Sequence, residues 1–357
     1  MTVRIRPAVA GLPSYVPGRP PESSRSFKLS SNENPYPPLP GVLAATELAC
    51  RQMNRYPDLR NTAVTAAVAG RLGVGQDQLA FGTGSVAVLY HLLQAVCEPG
   101  DDVIFAWRSF EAYPMAVQLT GARPVRVPLG PGAVHDLDAM RAAVSPVTRA
   151  VLLCSPNNPT GPALLHDEVV EFVESVPDHI LIMLDEAYVE FVTEPRAVRG
   201  LQLLQDRPNV AVLRTFSKAY GLAGFRIGYG VADPDLARAV RAAALPFGVS
   251  IAAQAAAVAS LAAEEELMSR VADLVKARGE LAQGLVDLGF EVPDAQGNFI
   301  WLTTGAHTME NAEAFAAGGV MVRPYASGEA ADGIRITVGE PEANALVLQI
   351  ASRLTRR

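Results

Sequence analysis

The chain has 357 residues, 49% of them hydrophobic and 19% charged, with a formal net charge of −7. These values describe a globular protein with a large buried interior, too long for one small core, and exclude a disordered chain. The acidic excess is mild and spread along the sequence, without the basic patch or stripe that nucleic-acid binding needs.

Residues 1–40 are rich in proline (Pro13, Pro17, Pro20, Pro21, Pro35, Pro37, Pro38, Pro40) and read as an extended arm with no core of its own. From about Gly41 helices alternate with short apolar strands. Residues 62–71 read as a helix, 80–82 as the end of a strand and 86–96 as a helix. Strands are expected at 102–106, 125–128 and 150–154, a helix at 168–176, and strands at 180–184 and 211–215. Strands that are apolar throughout and alternate with helices imply a parallel sheet covered on both faces. A helix at 233–244 and a long Ala-rich helix at 251–278 follow, the latter linking two domains. The last 80 or so residues change style. Alternating strands at 298–302, 320–323 and 333–338 and a terminal helix at 343–354 suggest an α+β lobe. The fold class expected is therefore α/β, with a large domain at 41–248 whose mostly parallel sheet is covered by helices. A smaller α+β domain combines the arm, 1–40, with the interdomain helix and C-terminal segment, 249–357.

Cys50, Cys97 and Cys154 stand far apart, with no CxxC or Cys/His spacing. Neither a metal site nor a disulfide framework is expected, and the cysteines read as small buried hydrophobes of a reducing compartment. The first twenty residues lack the apolar core of a secretory signal, and apolar runs are far shorter than the ~20 residues of a membrane span. The expectation is a cytoplasmic protein with no membrane attachment.

Four segments carry chemistry. Leu213 to Arg226 (LRTFSKAYGLAGFR) sets Lys218 just after a strand end, among Thr215, Ser217 and Arg226. An imine-forming lysine must be partly desolvated to keep its amine neutral, and the hydroxyls and guanidinium suit a phosphate dianion. In isolation the same Ser-Lys pair is a solvated surface loop. Residues 181–188 (LIMLDEAY) place Asp185 at the C-terminal edge of a strand, where it either meets a cationic ligand group or caps the next helix. Strand alternation turns Glu186 to the other face. Residues 154–161 (CSPNNPTG) form a turn that can present the Asn158 amide. Residues 81–85 (FGTGS) are a tight turn or, at a helix N-terminus, an anion cradle.

In this order, the segments resemble the fold-type I pyridoxal-phosphate aminotransferases, in the histidinol-phosphate aminotransferase branch. The resemblance runs from Leu29-Ser30-Ser31-Asn32-Glu33-Asn34-Pro35 to Gly333-Ile334-Arg335-Ile336-Thr337-Val338-Gly339. It implies pyridoxal 5'-phosphate as cofactor, held by Lys218, which would also shuttle the substrate proton. Asp185 would pair with the pyridinium nitrogen, and Asn158 and Tyr188 would bond the ring oxygen. Gly84, Ser85, Thr215, Ser217 and Arg226 would hold the phosphate, and Phe110 would stack on the ring. Tyr56 would reach the cofactor phosphate of a neighbouring subunit, which implies a homodimer with shared active sites. Arg335 would grip the substrate α-carboxylate, with Asn32 beside it, and Arg323 and Tyr15 would face the substrate side chain.

The reaction implied moves an amino group from an amino acid to a 2-oxo acid such as 2-oxoglutarate. Histidinol-phosphate enzymes carry an acidic pair where this chain has Val86 and Ala87, and residues 107–114 (WRSFEAYP) are more similar to actinobacterial aromatic amino-acid (phenylalanine) aminotransferases. An aromatic donor is therefore expected, with histidinol phosphate as the alternative. A decarboxylase on the same scaffold would be told apart by release of carbon dioxide without a 2-oxo acid. A cofactor-binding regulator would need a DNA-binding segment that the sequence lacks.

Overall fold

Strands apolar on both sides must lie centrally, because only a sheet covered on both faces buries them. In the computed structural model, which describes residues 3–12, 14, 18–20, 26–328 and 331–354, seven strands among these residues form one such sheet. They are β1 (Leu79–Gly82), β2 (Asp102–Trp107), β3 (Arg123–Pro128), β4 (Thr148–Cys154), β5 (Leu181–Asp185), β6 (Val210–Thr215) and β7 (Gly228–Val231). Their order across the sheet is β1-β7-β6-β5-β4-β2-β3. Strands β2 to β6 are parallel, whereas β7 runs antiparallel to both its neighbours.

Alternation along each strand divides the apolar residues between two cores. Val151, Leu153, Ile182, Leu184, Val210 and Val212 meet helices Thr62–Leu72, His166–Ser175 and Ile251–Ala262. Ala150, Leu152, Met183, Ala211 and Leu213 meet helices Ser85–Val96 and Ala112–Thr120 on the other face. A further core lies around β8 (Phe299–Thr303), β9 (Arg323–Tyr325) and β10 (Gly333–Thr337), an antiparallel sheet of order β9-β10-β8. Phe299, Ile300, Leu302, Phe315, Ile336 and Val347 fill it.

Two expectations need correction. The helix expected at 251–278 is two helices, Ile251–Ala262 and Glu264–Asp287, broken at Ala263. Glu264, Glu265 and Glu266 start the second helix, where the positive end of a helix dipole favours acids. The strand expected at 320–323 is two short strands in different sheets. Val320–Met321 pairs in parallel with Phe27–Lys28, and β9 pairs with β10, its Pro324 tolerated because β9 is an edge strand. The arm, read as having no core of its own, is packed against the other elements. Leu29 and Leu39 are buried, the Leu29 N–H donates to Met321 O (2.8 Å), and the Thr337 N–H donates to Leu29 O (2.9 Å).

Arg278 ties helix Glu264–Asp287 to two other segments. Its Nη1 donates to Phe191 O and Gly297 O, each at 2.9 Å, and burial pushes its pKa down to about 10. Arg278→Met keeps an apolar stem but leaves both buried carbonyls without a donor. Denaturant unfolding should then report a loss on the order of 2–4 kcal/mol. A loss under about 0.5 kcal/mol would show that the two carbonyls do not depend on this side chain.

Candidate active site

Strands β4, β5 and β6 end together at Cys154, Asp185 and Thr215, and open α/β sheets bind ligands beyond that edge. A cavity of about 380 Å³ opens there. Thirteen residues singled out from the sequence line it: Asn32, Gly84, Ser85, Phe110, Asn158, Asp185, Tyr188, Thr215, Ser217, Lys218, Arg226, Arg323 and Arg335.

Lys218 follows β6 on a loop that points its amine at the arm. Its Nζ donates to Ser31 O and Asn32 O, each at 3.1 Å. Burial, reinforced by the nearby Arg335 charge, pushes its pKa down to about 7, so a neutral amine is available near neutrality. Asp185 is buried, and burial pushes its pKa up to about 6. Its Oδ2 accepts from the Tyr113 hydroxyl (2.8 Å) and its Oδ1 from the Ala187 N–H (3.2 Å). Both donors are neutral, so the carboxylate is solvated by dipoles and suited to a cationic ligand group. Glu186 turns the opposite way, as strand alternation requires. It pairs with Arg214 (2.7 Å) and accepts from the Gly200 N–H (2.8 Å).

The turn from β1 into helix Ser85–Val96 faces the loop after β6. Ser217 N donates to Thr215 Oγ1 (3.1 Å), the two hydroxyl oxygens are 3.0 Å apart, and Arg226 Nη1 donates to Ser217 Oγ (3.4 Å). Two glycines permit this approach. A Cβ on Gly84, whose φ is +86°, would stand 2.6 Å from Arg226 Nη2, and one on Gly228 would stand 2.2 Å from Ser85 N. Helix N-terminus, two hydroxyls and a guanidinium together make a donor set for a phosphate dianion.

Arg335, on β10, donates through Nη1 to Asn158 Oδ1 and through Nη2 to Ser30 O (2.7 Å), while its buried Nε has no partner. Asn32 Nδ2 donates to the Tyr188 hydroxyl (2.9 Å). Asn158 and Tyr188, expected to bond one ligand oxygen, are thus engaged with Arg335 and Asn32. Arg323 forms an ion pair with Glu111, and Phe110 stands edge-on to Tyr113 at 5.6 Å. Tyr56 lies away from this cavity, 81% exposed and stacked on Phe247 at 4.7 Å. Tyr15 lies outside the described residues.

Sequence reasoning missed Tyr113, Glu111 and the carbonyls of residues 30–32. Tyr113 and Glu111 lie within residues 107–114, beside Phe110, but their partners are 72 and 212 residues away, so no local pattern marks them. Among the described residues no group of three or more His, Cys, Asp or Glu is placed to hold a metal, and no helix is long and apolar enough to cross a membrane.

Residues 24–350 match the family described as aminotransferase class I and II. An aromatic amino acid aminotransferase of Streptomyces coelicolor is 49% identical over 355 residues, which is 99% of this chain and 98% of that protein. One from Thermobifida fusca is 48% identical with the same coverage. Among solved structures, histidinol-phosphate aminotransferase from Sinorhizobium meliloti, in complex with pyridoxal-5'-phosphate, matches with a TM-score of 0.89 at 29% identity, over 99% of this chain and 97% of that one. A single mutant of Thermus thermophilus aspartate aminotransferase shares the fold, with a TM-score of 0.83 at 22% identity, over 99% and 100% of the two chains. With a family match over residues 24–350, relatives near half identical and the shared large mostly parallel sheet, the chain belongs to the class I and II aminotransferases.

Proposed function

We propose that this chain carries pyridoxal 5'-phosphate on Lys218 and moves the amino group of an aromatic amino acid, phenylalanine or tyrosine, to a 2-oxo acid such as 2-oxoglutarate. One observation carries the substrate reading. Full-length relatives named for aromatic substrates are 46–49% identical, against 29% for the histidinol-phosphate neighbour.

The residues fit the cofactor. Asp185, buried among neutral donors, suits a protonated ring nitrogen, and the cradle of Gly84, Ser85, Thr215, Ser217 and Arg226 suits its phosphate. The cofactor, when bound, supplies an electron sink for bond breaking at the substrate α-carbon. Phe110 would face the ring, and Asn158 and Tyr188 its oxygen. Arg335 would take the substrate α-carboxylate with a planar guanidinium whose Nε has no protein partner, and Asn32 would line that end. Lys218, whose pKa of about 7 leaves a neutral amine available near neutrality, would take the proton from the α-carbon and return it.

A homodimer belongs to the same proposal. Met53, Tyr56, Leu59 and Leu245 are exposed apolar or aromatic residues, 77%, 81%, 55% and 74% accessible. A second copy covering them would bring Tyr56 to the partner's phosphate cradle. The division into 1–40, 41–248 and 249–357 and a reducing, cytoplasmic setting, which suits three free cysteines, are part of the same reading.

Adding amino donors one at a time to the loaded protein should bleach the visible band of the bound cofactor with phenylalanine and tyrosine, and little with histidinol phosphate. The reverse ranking would move the enzyme to histidinol phosphate. Lys218→Ala should lower turnover by about 10³-fold or more, read as initial rate with phenylalanine. A loss of less than about tenfold would remove Lys218 from its role. The neutral amine is the reactive form, so the rate at which cofactor-free protein takes up pyridoxal phosphate should rise with pH through about 7 and then level. A rise centred near 10 would mean an ordinary, solvated lysine.

A further inference from the structure

The register of β9 on β10 sets Arg323 directly opposite Arg335. Both are buried, both line the cavity, and both guanidinium carbons lie near the Tyr325 ring, at 5.8 and 5.7 Å. Like charges directly opposed on neighbouring strands repel, and each is costly to bury without an opposite charge. The two arginines are compensated in different ways. No carboxylate among the described residues pairs with Arg335, which donates to an amide oxygen and a backbone carbonyl. Arg323 is paired with the Glu111 carboxylate. Glu111, Arg323 and Tyr325 also line a second cavity of about 340 Å³, so the ion pair is a common wall of both spaces.

We propose that Glu111 determines which substrate side chains this site accepts, acting as a counter-ion of Arg323 that neutral aromatic side chains leave in place and anionic ones must displace. The inference rests on the aminotransferase reading, in which Arg335 holds the α-carboxylate. Arg323 is its direct cross-strand neighbour, so the next part of the substrate meets the Arg323–Glu111 pair. An aromatic ring can lie against a paired guanidinium, whose planar face remains available for stacking. An anionic side chain must open the pair and then face the displaced carboxylate, so the discrimination comes from a repulsive element. An acceptor such as 2-oxoglutarate meets the same cost as glutamate, since both end in the same carboxylate.

The test compares wild type with Glu111→Gln, both loaded with cofactor, using two unreactive ligands: glutarate, with an anionic tail, and 3-phenylpropanoate, with a neutral aromatic one. Removing the charge should tighten glutarate about tenfold and change 3-phenylpropanoate less than about threefold. In half-reactions, kcat/KM should rise for glutamate and stay level for phenylalanine. Equal changes for both ligands, or weaker glutarate binding, would overturn the inference and leave Glu111 as a prop for Arg323. A double variant with Arg323→Gln should abolish the gain for glutarate, and a gain that survives would also overturn it. If the ligands respond as expected while no amino acid bleaches the cofactor band, the aminotransferase reading fails and the counter-ion role stands. If amino acids bleach the band and the ligand ratio does not move, the counter-ion role alone fails.

Discussion

Taking a cation out of water costs several kcal/mol unless dipoles or an opposite charge replace its hydration. Besides Arg226 at the phosphate cradle, this cavity is lined by the three cations Lys218, Arg323 and Arg335, and much of the surrounding architecture answers the cost of those three. Backbone carbonyls of Ser30, Ser31 and Asn32 face two of the cations, and Glu111 faces the third. Each arrangement leaves something useful. Carbonyls meet Lys218 without a formal negative charge, while burial and the nearby Arg335 charge bring its pKa down to about 7, so a neutral amine is available near physiological pH. Arg335 is held by an amide oxygen and a backbone carbonyl, with no carboxylate partner among the described residues.

The same economy of placement separates two adjacent acids. Asp185 and Glu186 are neighbours at the end of β5, and strand alternation sends them to opposite faces. Glu186 meets Arg214 and a backbone N–H, and serves the interior. Asp185 meets a phenol and a backbone N–H, both neutral, and remains the acid that suits a cationic ligand group. One residue of register decides which acid is structural and which faces the cavity.

Much of this was legible in the sequence for a physical reason. Central strands must be apolar on both sides, and the acid or hydroxyl that ends each run marks the carboxyl edge, so Asp185, Thr215 and Lys218 were found without tertiary information. The helix break at Ala263 escaped because an Ala-rich run contains no breaker, although the three glutamates after it are a helix-start signal. The split at residues 320–325 escaped because its cause is the pairing of Val320–Met321 with Phe27–Lys28, almost 300 residues away in sequence. Tyr113 and Glu111 escaped on the same ground. Their partners come from other elements, and a single chain read locally carries no mark of them.

Residues 27–32 are held between Val320–Met321 and Thr337, and the Asn32 N–H donates to the Thr337 hydroxyl across a separation of 305 residues. That contact has a bearing on biogenesis. The segment is made long before the strand residues it pairs with, Val320–Met321 and Thr337, although Tyr188 and Lys218, which it also meets, come between them in sequence. The central sheet can collapse beforehand, since its parallel strands all lie between residues 102 and 215. The strand pairing that holds the segment facing Lys218 and Arg335 therefore forms only after residues 320–337 have been made, later than the parallel strands of the central sheet.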